Sequence, residues 1–269
     1  MPKSLNIIVL VKQVPDIEKV RFDYEKGRLD RSSAGAIINP FDLNALEAAV
    51  QIKKQTGSIV TAISMGPEKA EESLRDALAR GADKAFLLTD AKFAGADTLA
   101  TSYALSCAIR RIGLFDLIIC GEKTIDGDTA QVGPEVAEFL GIPHVAYVEE
   151  LREVNLTEIV VKSRLDENCY VVQMRFPGLI TVTKDANSPR LPTLKDKLKS
   201  RKAEVTVWNA NDLSDLAKEQ FFGLSGSPTW VAKVYAPSTG KRKSQIIKGT
   251  AEKKAKKVAE ILGDLKVLR

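Results

Sequence analysis

From Gly121 to Gly133 the chain reads Gly121-Glu122-Lys123-Thr124-Ile125-Asp126-Gly127-Asp128-Thr129-Ala130-Gln131-Val132-Gly133, a polar loop bounded and interrupted by glycine. It follows Leu117-Ile118-Ile119-Cys120, an apolar run too short for a helix, and leads into an apolar-periodic segment that ends at Leu140-Gly141. A parallel strand delivers backbone donors to a phosphate in this way. The first N–H groups of a helix have no internal partner and lie at the positive end of its dipole, so an anion there is doubly favoured. Gly121, Gly127 and Gly133 would let the backbone approach a ligand closely. The other reading is a plain strand-to-helix turn in which Asp128 or Thr129 is only an N-cap. The loop has no Gly-Lys-Ser/Thr, and the chain has no Gly-x-Gly-x-x-Gly, so neither a Walker loop nor a dinucleotide fingerprint is present.

The elements that must position this loop alternate. Residues 5–11 and 59–64 are apolar and β-rich, and residues 39–54 carry helical spacing through Leu43, Leu46, Ala49 and Val50. Pro67 opens a second helix with Ala70, Leu74, Ala77 and Leu78 on one face, and Gly81 stops it. Residues 84–88 then read as a strand, 97–111 as a helix and 117–120 as the strand before the loop. This predicts an α/β fold with a doubly wound, mostly parallel, Rossmann-like sheet, whose ligands sit beyond the C-terminal strand ends. The loops at 12–15, 65–66, 89–97 and 121–129 all emerge there. After Gly141 short β-rich runs at 146–151, 156–164, 170–176 and 179–183 predict an antiparallel extension, with Leu165-Asp166-Glu167-Asn168 as a hairpin turn. A polar loop opens a short helix near Thr193, where regular alternation ends.

The chain is expected to divide into a nucleotide-binding domain over residues 1–205 and an arm over 206–269. In the arm Trp208, Phe221, Phe222 and Trp230 are spread along a Gly-Ser-Pro-rich stretch too sparse for a core, and a last helix at 251–265 aligns Val258, Ile261, Leu262 and Leu265. Docking on its own domain remains open, but aromatic anchors favour another subunit.

With 269 residues, 44% apolar and 28% charged, the chain can bury a full core. No apolar run reaches the roughly 20 residues of a membrane helix, and a strand-like segment follows Asn6 directly, so neither membrane insertion nor a signal peptide is expected and the location is cytoplasmic. Cys107, Cys120 and Cys169 are odd in number and widely spaced, which favours small buried hydrophobes. His144 is the only histidine and has no zinc-like partners. No metal site and no catalytic side chain is assigned. The net charge of +5 gathers at residues 195–202, at Lys241, Arg242 and Lys243, and at 253–257; these read as solvated faces and not as a nucleic-acid surface.

Six ordered motifs carry a resemblance. They are Val11-Lys12-Gln13-Val14-Pro15-Asp16, Ile38-Asn39-Pro40-Phe41-Asp42, Met65-Gly66-Pro67, Leu74-Arg75-Asp76-Ala77-Leu78-Ala79-Arg80-Gly81-Ala82-Asp83, the loop at 121–133, and Gly223-Leu224-Ser225-Gly226-Ser227-Pro228-Thr229. Together they resemble the β subunit of electron transfer flavoproteins over nearly the whole chain. The resemblance implies a heterodimer with a larger α subunit, on which the C-terminal arm wraps. It also implies an adenine nucleotide held by Leu10, Val11, Asn39, Asp42, Met65, Gly66 and the loop residues Gly121, Thr124, Asp126, Gly127, Asp128, Thr129, Ala130, Gln131 and Gly133. The N–H groups of 128–131 are the implied phosphate donors. The carboxylates of Asp126 and Asp128 would repel a phosphate, so capping, ribose or loop-internal bonds fall to them.

In ordinary members that nucleotide is AMP, and in the electron-bifurcating branch it is a second FAD. Gly95-Ala96-Asp97-Thr98-Leu99-Ala100-Thr101-Ser102 resembles the bifurcating motif, with Thr98 and Thr101 placed to hold the further phosphate and ribityl oxygens. The alternative is Asp97 as N-cap with incidental threonines. The implied function is to hold the FAD that takes hydride from NADH and to split electrons. One path leads to ferredoxin or flavodoxin, and the other, through the α-subunit FAD, to an acyl-CoA or hydroxyacid dehydrogenase. Such a subunit is not expected to turn over alone. Leu194 matches the residue that anchors partner dehydrogenases, while a buried structural leucine is the other reading. Tyr170 departs from the pattern, standing where an acidic or amide residue is usual. Two alternatives stand: an ordinary member with AMP, and a universal-stress-type ATP-binding module with no redox role.

Overall fold

Strand β1 (Asn6–Leu10) divides its side chains between two cores. Ile7 and Val9 face one side of the sheet, Ile8 and Leu10 the other, and Ile7, Ile8 and Val9 are at most 1% exposed. Such a strand must be covered on both faces, which is the condition that parallel sheets impose. The remaining elements supply that cover. In this computed structural model, which describes residues 4–16, 21–23, 28–30, 35–230, 232 and 246–265, the chain continues through β2 (Gln13–Pro15), β3 (Arg21–Asp23), β4 (Arg28–Asp30), β5 (Ala36–Ile38), α1 (Pro40–Thr56), β6 (Ile59–Met65), α2 (Glu71–Arg80) and β7 (Lys84–Leu88). Then come α3 (Thr98–Ile112), β8 (Leu117–Gly121), α4 (Val132–Leu140), β9 (His144–Val154), β10 (Glu158–Leu165), β11 (Asn168–Arg175), β12 (Gly178–Val182), α5 (Leu194–Ser200) and β13 (Thr206–Trp208).

Nine strands form one sheet in the order β11-β10-β9-β12-β8-β1-β6-β7-β13, and β2-β5 and β3-β4 form two small antiparallel pairs. Val9 lies opposite Ala62 on one side and Ile119 on the other, all in parallel register. On one face Leu46 and Ala49 of α1 and Leu74 and Ala77 of α2 pack with Ile7, Val9, Ala62 and Ile119. On the other face Ala104 and Ala108 of α3 and Val136 and Ala137 of α4 pack with Ile8, Ile63 and Ile118. Each fully buried Ile or Leu contributes about 1.5–3 kcal/mol.

Local signals explain the helix ends. Pro40 occupies the first turn of α1, where a missing N–H costs nothing, and Gly57 closes it at φ 69° with its N–H on the Lys53 carbonyl. Asp97 caps α3 by accepting from the Ala100 N–H at 3.1 Å.

Several expectations are corrected. Pro67 leads first into a 3-10 turn at Glu68–Ala70, and α2 proper starts at Glu71. The antiparallel extension consists of β10 and β11 on β9, whereas β12 runs parallel to both β8 and β9. Alternation does not stop after residue 193, because β13 adds to β7 in parallel at the sheet edge. The compact unit therefore runs to Trp230 and not to 205. Trp208 packs on Phe86 at 4.7 Å between ring centroids, and Phe222, 3% exposed, packs on Phe93 at 5.0 Å. These aromatics anchor to their own domain; Trp230 is 73% exposed. Cys107 and Cys120 are buried as expected, but Cys169 is exposed on β11. The second unit spans Val231–Arg269 and holds α6 (Ala251–Asp264), capped by Thr250. Its lysines at 253–257 are exposed, as are Lys195, Lys197, Lys199, Arg201 and Lys202, while Lys241, Arg242 and Lys243 lie outside the described residues. No helix among the described residues is long and apolar enough to cross a membrane.

Candidate nucleotide site

Chain order reverses between β1 and β8: from β1 the chain moves outward through β6 and β7, then returns to place β8 on the other side of β1. Ligands of open α/β sheets bind at such a switch point, outside the carboxyl ends of the strands. Leu10 and Val11 at the end of β1 are buried at 6% and 4% exposure, Met65 and Gly66 at the end of β6 are half-buried, and Gly121 ends β8. The structure thus brings most of the expected residues to one end of the sheet.

Asn39 and Asp42, at the start of α1, build the loop from beneath. Asn39 is fully buried, donates to the Lys123 carbonyl at 2.8 Å and accepts from the Ile125 N–H at 3.2 Å. Asp42 accepts from the Lys12 N–H at 2.8 Å and the Gly121 N–H at 3.1 Å, tying the ends of β1 and β8 together. Burial pushes its pKa up to about 7, against the lowering effect of those N–H groups. Their geometry shows support of the loop, with both side chains already spent on the chain itself.

Gly121 and Gly133 are explained in the same way. A Cβ on Gly121 would lie 2.5 Å from Asp42 Oδ1, and one on Gly133 would lie 2.7 Å from Thr181 Cγ2 and 2.8 Å from Cys120 Sγ. Both glycines admit the protein's own atoms. Gly127 meets only Thr124 Oγ1, at 3.4 Å.

The loop itself turns outward. Asp128 and Ala130 both have φ of 55°, a left-handed conformation that costs a non-glycine residue of order 1 kcal/mol or more. Left-handed residues alternating with others aim successive N–H groups to one side, forming an anion nest. Gly127, Asp128, Thr129 and Gln131 are exposed, and Thr124 and Ala130 are half-buried. The Asp128 N–H donates to the Thr124 carbonyl at 2.9 Å, and Lys123 Nζ pairs with the Asp128 carboxylate at 2.8 Å. Asp126 pairs with Lys12 Nζ at 2.8 Å; burial raises its pKa, but the lysine and the Thr124 hydroxyl outweigh it and hold the carboxyl below the ordinary value. Both carboxylates are therefore bound within the loop region, and of the expected 128–131 donors the Asp128 N–H is spent on the Thr124 carbonyl, which leaves those of Thr129, Ala130 and Gln131.

Thr98 and Thr101 lie on the first turns of α3. Thr98 donates its hydroxyl to Glu135 Oε1 at 3.2 Å, and Ser102 donates to Glu135 Oε2 at 3.0 Å. Glu135 sits in the first turn of α4, so this carboxylate draws two helix starts together. Thr101 is half-buried, and its N–H closes the turn on the Asp97 carbonyl at 3.0 Å. Leu194 stands elsewhere, 75% exposed on α5.

Lys12 and Glu135 were missed in the sequence as site residues. Lys12 lies within the Val11-to-Asp16 motif, but its Asp126 partner comes 114 residues later. Glu135 follows Pro134 on a helix whose facing partner no spacing rule reveals.

The electron transfer flavoprotein domain family matches residues 26–213. The chain belongs to the electron transfer flavoprotein family. It is 44% identical to the electron transfer flavoprotein subunit beta of Thermoanaerobacterium thermosaccharolyticum, over 98% of this chain and 100% of that one. It is 44% identical to protein FixA of Azorhizobium caulinodans over 90% of this chain and 88% of that one. It is 37% identical to the caffeyl-CoA reductase-Etf complex subunit CarD of Acetobacterium woodii, covering 97% and 96% of the two chains.

An adenine nucleotide fits the flavoprotein chain at this end. The N–H groups of 129–131 and those of Val132 and Gly133 at the start of α4 are the donors within reach of a phosphate here, and Pro134 removes only one N–H from that turn. Ser64 Oγ is a buried hydroxyl with no hydrogen-bond partner among the described residues, one position before Met65 on β6. Among the described residues no group of three or more His, Cys, Asp or Glu is placed to hold a metal.

Proposed function

We propose that this chain is the β subunit of an electron-bifurcating flavoprotein and that the nucleotide it holds is FAD. The observation that carries the reading is the Thr98–Glu135 contact, which draws the start of α3 to the start of α4 beside the 127–131 loop. The nest and the start of α4, with the start of α3 drawn beside them, extend over more positions than the single phosphate of AMP requires, and Glu135 between them is held by the Thr98 and Ser102 hydroxyls. In this reading the N–H groups of Thr129, Ala130 and Gln131 hold one phosphate, while that of Asp128 stays on the Thr124 carbonyl, and the Thr98–Thr101 turn faces the second phosphate and ribityl oxygens. Asn39 and Asp42 keep the loop in register, and Leu10, Val11, Met65 and Gly66 form the wall against the adenosine.

When bound, FAD supplies acceptance of hydride from NADH and release of single electrons; the protein orients it and tunes its electronics. No side chain is assigned a bond-making role. The subunit works with an α subunit, on which the 231–269 unit docks, and it operates in the cytoplasm. The relative named as part of a caffeyl-CoA reductase-Etf complex supports a CoA-linked dehydrogenase or reductase as one electron partner. Ferredoxin or flavodoxin receives the other electron. Leu194, exposed on α5, is the proposed anchor for the dehydrogenase.

The test is to purify the α/β pair and count cofactors by absorbance and nucleotide release. Two flavins per heterodimer, with NADH oxidation only when both acceptors are present, is expected. One flavin plus AMP would return the chain to the ordinary electron-carrying role.

A further inference from the structure

Leu194 and Leu198 lie one turn apart on α5 at 75% and 52% exposure, and Leu191, just before the helix, is 84% exposed. Such a segment would collapse onto its own domain unless something held it out. Beneath it lies a cleft of about 480 Å³ lined in part by Lys53, Leu78, Asp83, Pro192 and Lys199. Side packing is therefore incomplete, and polar ties hold the segment.

The strongest tie is between Glu47 of α1 and Arg190. Arg190 Nε donates to Glu47 Oε2 at 2.6 Å and Nη2 donates to Oε1 at 2.8 Å, while the Arg190 N–H adds a third bond to Oε2 at 3.2 Å. The Glu47 side chain is 7% exposed. Burial raises its pKa, but the bonds from Arg190 and Gln51 outweigh that and keep the carboxyl below its ordinary range. Earlier on the same helix, Asn44 Nδ2 donates to the Asn187 carbonyl at 2.7 Å, and Asn187 Nδ2 returns a bond to the Asn44 carbonyl at 2.9 Å. From α2, Arg80 Nη1 donates to the Arg190 carbonyl at 2.6 Å, and Arg75 Nη1 reaches the carbonyls of Ser200, Arg201 and Ala203 at 2.9–3.1 Å. The segment is gripped at both ends.

Buried ion pairs are a poor source of stability, because desolvation offsets attraction, but a forked arginine–carboxylate pair allows only one geometry. The location matters more. Glu47 and Asn44 sit on α1 immediately after Asn39 and Asp42, which build the nucleotide loop. At a rise of about 1.5 Å per residue, Asp42 and Glu47 are about 7–8 Å apart along one rigid helix.

We propose that Glu47 and Arg190 are positioning residues that fix the leucine-bearing 191–198 segment on the helix that builds the nucleotide loop, so that a docking flavin-dependent dehydrogenase meets it preformed and in fixed register with the nucleotide. The proposal rests on the reading of Leu194 as the docking anchor. A preformed segment spares the ordering cost that binding would otherwise carry. Loss of the fork therefore weakens docking and leaves the cofactor untouched.

The experiment uses the cofactor-loaded α/β heterodimer with Glu47→Gln, Arg190→Lys and Leu194→Ala, assayed for electron transfer with a purified flavin-containing acyl-CoA dehydrogenase. Glu47→Gln and Arg190→Lys are expected to raise KM for the heterodimer by roughly threefold to tenfold. Turnover at saturation, flavin content and visible spectrum stay as in the wild type. Deuterium exchange at the amides of 191–200 rises. Arg190→Lys keeps the charge and guards against a Glu47→Gln variant that fails to fold. If Leu194→Ala raises KM while the other two leave both KM and exchange unchanged, the positioning role is overturned and the docking reading survives. If Leu194→Ala leaves KM unchanged, the docking reading falls and takes this proposal with it.

Discussion

Thr98 donates its hydroxyl to Glu135 at 3.2 Å, which joins the start of α3 to the first turn of α4. The residue proposed to face the ligand thus also carries a structural bond, and the two duties separate by mutation. Thr98→Val removes a hydrogen bond from a carboxylate and should lower stability by about 1–2 kcal/mol while also lowering flavin content. Thr101→Val breaks no side-chain hydrogen bond among the described residues and should lower flavin content with little change in the unfolding midpoint. Flavin absorbance per heterodimer alongside urea denaturation checks this; equal flavin content in wild type and both variants would remove the α3 start from the site.

Asp42 gives the loop a pH dependence. Its folded pKa, about 7, lies above the ordinary 3.8 because burial disfavours the charged form. Between those values the folded chain binds the proton that the unfolded chain has lost. The contribution is therefore complete below about pH 4 and is lost as pH rises through about 7. The wild-type melting temperature should fall from about pH 4 to about pH 7 and level off above, a decline absent in Asp42→Asn. That variant should also be less stable overall, since an amide turns an N–H toward one of the two N–H donors that the carboxylate satisfies. Parallel melting curves across that range decide it.

The alternation of β1, α1, β6, α2, β7, α3 and β8 was legible because each element obeys a local rule: a short continuous apolar run through Ile7, Ile8 and Val9, a proline at the start of α1, glycines at its end and at the end of α2. The location of the nucleotide loop was legible for the same reason. The roles of Asn39 and Asp42 were not, because their partners, Lys123, Ile125 and Gly121, are far away in sequence and side-chain direction is set by tertiary packing. The parallel direction of β12 was hidden because its apolar run carries no mark of direction. β13 was hidden because three residues, Thr206 to Trp208, are too few to show alternation.

Gly121 should not tolerate a methyl group. Its added Cβ would lie 2.5 Å from Asp42 Oδ1, 2.6 Å from Phe41 Cβ and 2.8 Å from the Phe41 backbone carbon. Backbone cannot swing aside as a side-chain tip can, so either α1 or the end of β8 must shift. Gly121→Ala should destabilise by about 1–3 kcal/mol and weaken nucleotide retention together. Gly127→Ala, whose Cβ meets only Thr124 Oγ1 at 3.4 Å, is the control and should cost far less in denaturant midpoint.

Asp97 does more than cap α3. Besides the Ala100 N–H, it accepts from Thr229 N–H at 3.1 Å and Thr229 Oγ1 at 2.8 Å, while its own N–H donates to Ser227 Oγ at 2.8 Å. The 223–229 motif is thereby latched onto the start of α3, and Gly223 admits the Lys92 carbonyl where a Cβ would stand 2.2 Å away. Burial raises the Asp97 pKa, but the N–H groups and the Thr229 hydroxyl prevail and hold it below 3.8. A depressed carboxyl stabilises the fold above its unfolded pKa and loses that contribution as pH falls through the folded value. Asp97→Ala should therefore cost about 1–3 kcal/mol at neutral pH, with the gap to wild type narrowing as pH falls below the ordinary carboxylate range. Limited proteolysis reads the latch directly: cleavage between residues 223 and 230 should be faster in the variant at neutral pH, and an unchanged cleavage rate would show that Phe222 packing alone holds the segment.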